Sequence, residues 1–127
     1  MSGRDDEATA SESDLDDEQL KAVVAALQQE YAKELPAQLL EVERAYASAL
    51  EQKGDDHKLE EATQIAHRLL GTTGSYGFAD ISQVMERLEN ASKALLGKTQ
   101  ANLEQCQIDG LWHDIEEALA ALKRLQS

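Results

Sequence analysis

Apolar residues recur along most of this chain at alternating intervals of three and four, the spacing that places side chains on one face of an α-helix. Three consecutive stripes of this kind comprise Leu59, Ala62, Ala66, Leu69 and Thr73; Ile81, Val84, Leu88, Ala91 and Leu95; and Ile108, Leu111, Ile115, Ala118, Leu122 and Leu125. Each apolar stripe can be buried only by packing against another stripe. Short turns between the segments favour antiparallel packing of successive helices. Aromatic residues make up only 4% of the chain, which disfavours a sheet. The sequence therefore predicts an all-α fold, an antiparallel four-helix bundle.

The segment before these stripes also has a helical pattern. One apolar face runs from Leu20 to Leu27. Pro36 lacks a backbone N–H and clashes with the preceding turn, so we expect it to end or kink this helix near Leu35 and to fit best in the first turn of a new helix. The bundle is therefore predicted to carry an additional N-terminal helix, and the domain is predicted to span residues 16–127.

The first residues of the chain differ in composition from the rest. From Met1 to Asp14 there are five acidic residues, one basic residue, and no large apolar residue other than Met1. Such a segment cannot bury enough apolar surface to offset the entropy lost on ordering. We predict that residues 1–15 form a disordered acidic leader.

Two of the turns contain residues that commonly cap helices. Gly54 followed by Asp55 and Asp56 predicts the end of one helix and an aspartate cap on the next. Asp80 is followed three residues later by Gln83, the pattern of a capping box. We therefore expect a helix to start at Asp80.

The net charge of −13 narrows the classes of partner. Nucleic acids and anionic membranes favour cationic proteins, so we expect this chain to bind neither. No stretch approaches the roughly 20 apolar residues of a transmembrane helix, and no apolar run follows Met1, which predicts a cytoplasmic protein. Cys106 is the only cysteine, which excludes an intrachain disulfide and a cysteine zinc cluster.

His67 stands beside a gap in its own helix face. Residues four apart share one face of a helix, so Gly71 removes the side chain that would otherwise lie next to the imidazole. A glycine inside a helix costs roughly 1 kcal/mol relative to alanine, and we infer that this one provides room around the ring. A neutral imidazole nitrogen is a competent nucleophile near neutral pH. The pattern predicts an exposed imidazole that a large partner can approach.

The order His67, Leu69, Gly71 and Gly77 in an acidic, helical chain resembles the signature of the histidine phosphotransfer (HPt) domains of two-component phosphorelays. The resemblance is strongest over residues 60–90 and extends, as a matching order of helices, from about residue 17 to the C-terminus. It implies that His67 accepts a phosphoryl group from a receiver-domain aspartate or a histidine kinase and passes it to another receiver. It also implies that Gly77 allows a tight passage between the two central helices.

The predicted site combines one phosphorylated residue with a surface for the partner. His67 would carry the phosphoryl group, and the partner would contact Gln64, Arg68, Gly71 and Ser75. HPt domains usually have a lysine three residues after the histidine, and this chain has Leu70 there. Counting across a hairpin centred near Gly77 places Arg87 opposite His67, so Arg87 is the predicted replacement cation.

The expected partners are a response-regulator receiver domain, a histidine kinase, or both. The chain lacks a glycine-rich nucleotide loop, so we expect a phosphotransfer intermediate rather than an independent enzyme. We also expect the protein to be a monomer. We expect no metal site and no cofactor in the chain itself, with Mg²⁺ bound by the partner receiver domain. His57 and His113 are predicted to be surface residues, because no pair of histidines has the spacing of a zinc site.

Two other functions remain open. Because Leu70 replaces the usual lysine, the chain could be a non-phosphorylated HPt-like adaptor that binds a receiver or a kinase. A helical oligomerisation module would need its apolar stripes to continue outside one bundle, and a monomeric mass in solution would exclude it.

Overall fold

A computed structural model describes the backbone of residues 2–126 and the side chains of residues 17–126. This part of the chain forms four helices and no strand: α1 (Ser2–Glu51), α2 (Asp56–Ser75), α3 (Ala79–Leu96) and α4 (Gln105–Gln126). The prediction of an all-α fold is confirmed. Over the part of the chain that the structure describes, no helix is long and apolar enough to cross a membrane.

Helix α1 continues through Pro36, so the predicted helix end near Leu35 is wrong, and the alternative of a kink there stays a prediction. A proline inside a helix costs about 3 kcal/mol because a hydrogen bond is lost and the ring meets the preceding turn. Burial of the flanking Leu35 and Leu39 offsets this cost. The additional N-terminal helix is accordingly not confirmed as a separate element. The predicted disordered leader, residues 1–15, falls where no side chain is described, and it stays a prediction.

Contacts divide the chain into two compact units, Met1–Glu34 and Leu35–Ser127. In the first unit, the predicted apolar face is at the surface: Leu20, Val23, Val24 and Leu27 are 41% to 60% exposed. The second unit contains the remainder of α1 and all of α2 and α3, together with the described residues of α4. The candidate site lies entirely in the second unit.

The helices of the second unit form an antiparallel bundle. Helix α2 packs against α3, and α3 packs against α4. Lys58, near the start of α2, donates a hydrogen bond to Ser48, near the end of α1, at 3.1 Å. Gln126, at the end of α4, donates to Glu43, an earlier residue of α1, at 2.8 Å. Each helix therefore contacts at least two of the others, and the predicted four-helix bundle is confirmed.

The predicted apolar stripes supply most of the core of this bundle. The buried members are Leu59, Ala62, Ala66, Leu69 and Thr73 of α2; Val84, Leu88, Ala91 and Leu95 of α3; and Ile115, Ala118 and Leu122 of α4. The rest of the core comes from other buried residues of the second unit: Leu35, Leu39, Val42, Tyr46 and Ala49 of α1, Met85 of α3 and Trp112 of α4. The stripes are less covered at their ends, where Ile81, Ile108 and Leu111 are half-buried and Leu125 is exposed.

The turns on either side of α2 differ in how they cap the following helix. Asp55 caps α2, because its carboxylate accepts a hydrogen bond from the backbone N–H of His57 at 3.1 Å. The predicted capping box is wrong, since α3 begins at Ala79 and no side chain caps it. Asp80 lies instead in the first turn of α3, where its charge favours the helix dipole. Gly77 has φ 83°, a left-handed conformation that glycine adopts without steric cost.

Candidate functional site

His67 lies at the edge of the α2 face that packs into the bundle. Its side chain is 71% exposed, whereas its neighbours Ala66 and Leu69 are buried in the core. Successive residues are rotated by about 100° around a helix, so these two core positions fix the direction of His67 toward the surface. The imidazole is accessible, as a nucleophile for a large partner must be.

A buried carboxylate on the neighbouring helix holds one nitrogen of this imidazole. Nδ1 of His67 forms a hydrogen bond with Oε2 of Glu89 on α3, and the Glu89 side chain is only 7% exposed. A carboxylate accepts hydrogen bonds and cannot donate them, so in the neutral imidazole this contact holds the proton on Nδ1. The lone pair then resides on Nε2, the nitrogen directed away from Glu89.

Lys93 brings a cation to the same carboxylate oxygen. Its Nζ lies 3.5 Å from Oε2 of Glu89, and its side chain is 62% exposed. Glu89 and Lys93 are four residues apart on α3, the spacing at which opposite charges meet along a helix. One oxygen of a buried carboxylate therefore contacts both an exposed imidazole and an exposed ammonium.

Arg87, the predicted replacement cation, lies on another side of α3. It lines grooves between α3 and α4 together with Asp114 and Arg124. Counting across the hairpin predicted the level of a residue along the bundle but not its direction around the helix. Arg87 and Glu89 differ by only about 3 Å in level but by about 200° in direction. The structure therefore brings Glu89 to His67, and it does not bring Arg87 there.

The other four predicted site residues are exposed on α2 near His67. They are Gln64, Arg68, Gly71 and Ser75. A Cβ atom added at Gly71 would meet nothing within 4 Å, so the space beside the imidazole is open. Arg68 is directed toward α1, where its Nη2 donates to Oε1 of Glu41 at 3.2 Å. Contact of these four residues with a partner stays a prediction.

Leu70 is half-buried, three residues after His67. Its carbonyl oxygen accepts a hydrogen bond from Ser82 Oγ of α3 at 3.4 Å, which places this turn of α2 against α3. Leu70 therefore contributes apolar surface beside the site, at the position where HPt domains usually have a lysine.

A group of buried hydroxyls lies below the site, and we call Tyr46, Thr63 and Ser92 the core hydroxyl cluster. Tyr46 of α1 is fully buried, and its hydroxyl lies 2.8 Å from Ser92 Oγ of α3. Burial raises the pKa of Tyr46 to about 12, hydrogen bonds with Ser92 and Thr63 oppose the rise, and the negative charge of Glu89 adds to it. The Tyr46 hydroxyl is therefore neutral at physiological pH.

The two other histidines belong to surface pairs. His57 lies 3.1 Å from Glu61 and His113 lies 3.5 Å from Glu117, each one helical turn away. Cys106 is exposed and forms no disulfide. Among the residues whose side chains are described, no group of three His, Cys, Asp or Glu residues is arranged to hold a metal ion.

Sequence reasoning missed Glu89 and Lys93. A charged residue inside a buried stretch was the available signal, because Glu89 follows the core residue Leu88 directly and carries a lysine one turn later. A buried carboxylate needs partners of opposite charge or hydrogen-bond donors. The spacing along α3 offers Lys93 as one such partner, whereas the contact with His67 on α2 follows only from how the helices pack.

Comparison with known families agrees with this architecture. A family model described as the Hpt domain matches residues 26–125, a range that includes His67, Glu89 and Lys93. Comparisons with curated proteins and with solved structures gave no match. Because the matched range covers most of a chain that folds as a helical bundle, the protein belongs to the family of Hpt domains, which act in histidine phosphotransfer in two-component phosphorelays.

Proposed function

We propose that this protein is a phosphohistidine carrier, in which Nε2 of His67 accepts a phosphoryl group from a receiver-domain aspartate or a histidine kinase and passes it to another receiver. The observation that carries the proposal is the pairing of an exposed imidazole with a buried carboxylate: His67 is 71% exposed, and Glu89, which contacts its Nδ1, is 7% exposed. This pairing orients the ring and leaves one nitrogen available to a partner.

The chemistry requires only an in-line exchange at phosphorus. The Nε2 lone pair forms the new nitrogen–phosphorus bond while the bond from phosphorus to the aspartate oxygen breaks, and that electron pair leaves with the carboxylate. The imidazole becomes positively charged and keeps its proton on Nδ1, where Glu89 accepts the hydrogen bond and offsets the charge. The reverse exchange passes the phosphoryl group to the next aspartate.

Lys93 takes the stabilising role that the usual lysine would have at Leu70. It is anchored beside Glu89, and a lysine ammonium carries three donors on a flexible stem. In the phosphorylated protein, Lys93 turns to the phosphoryl oxygens while Glu89 keeps its contact with the imidazole. The cation thus comes from α3 instead of α2.

The partner supplies what this chain lacks. Phosphoryl transfer depends on positioning and on neutralising charge, and a receiver domain brings Mg²⁺ to its own aspartate. The open space at Gly71 gives such a partner access to Nε2. The proposed carrier is a monomer and acts in the cytoplasm.

The test is incubation with a panel of receiver domains that carry labelled phosphoaspartate. We expect label on this chain that is labile in acid and stable in alkali, as a phosphoramidate is. His67→Gln should remove the label with the helical circular dichroism spectrum unchanged. His57→Gln is the matched control and should be labelled as the wild type is, since His57 lies in a surface pair with Glu61.

A non-phosphorylated adaptor is the second candidate, and Leu70 is the observation that favours it. An adaptor needs the exposed α2 surface but not Nε2. It would bind a receiver or kinase with equal affinity before and after His67→Gln, and it would take no label from any donor. Label on the wild type excludes this candidate.

A further inference from the structure

The core hydroxyl cluster gathers residues of three helices and joins α1 to α3 by a hydrogen bond. The Tyr46 hydroxyl lies 2.8 Å from Ser92 Oγ and 3.4 Å from the carbonyl oxygen of Leu88. Ser92 Oγ donates to the same carbonyl at 2.6 Å, so the Tyr46 O–H is the donor to Ser92. Thr63 of α2 lies next to the Tyr46 hydroxyl, but its own O–H donates to the carbonyl oxygen of Leu59 at 2.6 Å. The hydrogen bond of Tyr46 therefore joins α1 to α3.

This cluster lies next to the residues that form the site. Leu88, whose carbonyl accepts the hydrogen bond of Ser92, is adjacent to Glu89 in the chain, and Ser92 follows Glu89 by three residues. Thr63 precedes His67 by four residues, so the two share one face of α2. The charge of Glu89 acts on Tyr46, which places the carboxylate within electrostatic range of the hydroxyl. The cluster therefore contacts the two helical turns that carry Glu89 and His67.

From this arrangement we infer that Tyr46 and Ser92 are positioning residues: through the turn of α3 between Leu88 and Ser92 they hold the Glu89 carboxylate at Nδ1 of His67, and so select the tautomer with a free Nε2. This inference deepens the proposed function, on which its consequence for phosphoryl transfer rests. Its consequence for the tautomer does not depend on any transfer.

The physical reason is that a buried carboxylate has few ways to be satisfied. Glu89 is almost fully covered, and its described partners are His67 and Lys93. If the α3 turn shifts, the carboxylate can keep Lys93, which moves with it on the same helix, but it loses alignment with His67 on α2. The hydrogen bond from Tyr46 to Ser92 opposes such a shift, because it ties α3 to α1.

The experiment compares three variants of the full-length protein. Tyr46→Phe removes only the hydroxyl, and Ser92→Ala removes its acceptor. Ile115→Val removes one methylene group from the core of α4, where Ile115 is fully buried, and serves as the control for a general loss of packing. The first measurement is the position of the proton on neutral His67, read from the ¹⁵N chemical shifts of its ring in the unphosphorylated protein.

We expect the wild type and Ile115→Val to hold the proton on Nδ1. In Tyr46→Phe and Ser92→Ala the population with the proton on Nε2 should rise, and the initial rate of labelling by a phosphorylated receiver should fall on the order of 10-fold, since small misplacements of reacting groups are costly. The double variant should lose no more than either single one.

Unchanged ring shifts in both cluster variants would overturn the inference and leave the cluster a purely structural feature. If Tyr46→Phe does not fold, Ser92→Ala decides the question alone. If the tautomer shifts as expected but the wild type takes no label from any receiver, the positioning role stands and the proposed carrier function fails, so the two failures are distinguishable.

Discussion

Glu89 is buried in the interface between α2 and α3, while His67, whose Nδ1 it contacts, stays 71% exposed. Burial fixes the carboxylate, and exposure leaves the ring free to react. A charge that is held by the scaffold costs no reorganisation when the imidazole becomes positive. This relation between one covered and one accessible residue is the basis of the predictions for the site.

Replacement of Glu89 by glutamine should slow phosphoryl transfer. Glutamine keeps the size and an acceptor oxygen but removes the charge, and a hydrogen bond to a charged group is worth roughly 1.5 kcal/mol more than a neutral one, which corresponds to about 10-fold in rate. Glu86→Gln is the matched control, because Glu86 is an exposed residue on the same helix. The measurement is the initial rate of labelling from a phosphorylated receiver. Equal rates in the two variants would contradict the role of Glu89.

Lys93 should stabilise the phosphoryl group, and Leu70→Lys should compensate for its loss. An exposed cation contributes about 1 kcal/mol at most, so Lys93→Ala should reduce the phosphorylated fraction or the transfer rate about five-fold. Lys33→Ala is the control, since Lys33 pairs with Glu30 on an exposed part of α1. Adding Leu70→Lys to Lys93→Ala should restore much of the loss. If Lys93→Ala and Lys33→Ala behave alike, the stabilising cation lies elsewhere.

Gly71 should matter for the partner and not for the fold. A Cβ atom there meets nothing within 4 Å, and alanine is favoured over glycine in a helix by about 1 kcal/mol, so Gly71→Ala should raise the melting temperature and preserve transfer. Gly71→Gln should fold equally well but block the approach of a receiver to His67. Normal transfer by Gly71→Gln would show that the partner does not use this space.

The core should respond strongly to truncation. Leu69 and Leu88 are buried, and Leu→Ala in a core costs about 2 to 5 kcal/mol of unfolding free energy. Glu60 is exposed, so Glu60→Ala should change stability by less than about 0.5 kcal/mol. Denaturant unfolding at neutral pH measures both. Small and equal losses at all three positions would contradict the assigned core.

The sequence predicts those features of the fold that repeat along a helix, because apolar periodicity identifies buried faces. The period of Ala62, Ala66 and Leu69 identified the buried face of α2 and hence the exposure of His67, because burial is repeated at each turn. The predicted helix end at Pro36 was wrong, because packing of the neighbouring residues outweighs the cost of about 3 kcal/mol that a proline adds inside a helix. The contact of Glu89 with His67 was not predicted, because the residue that a side chain meets depends on its direction around a packed helix. The apolar periodicity does not specify that direction for a single polar residue.

Stability at alkaline pH should report the burial of Tyr46. Its pKa is raised to about 12 in the folded protein, against about 10 in the unfolded chain. The unfolded state therefore loses its proton first, so the stabilisation is fully present below pH 10 and is lost as the pH rises toward 12. Two pKa units correspond to roughly 2 to 3 kcal/mol.

Tyr46→Phe isolates this contribution from the other groups that titrate in the same range. We expect the unfolding free energy of the wild type to fall more steeply between pH 10 and pH 12 than that of Tyr46→Phe. Absorbance at the phenolate band should show Tyr46 ionising near pH 12 in the wild type, a step that is absent in Tyr46→Phe. Parallel pH profiles of wild type and variant would mean that the Tyr46 hydroxyl is accessible to water, and the core hydroxyl cluster would then lack the rigidity that its role beneath Glu89 requires.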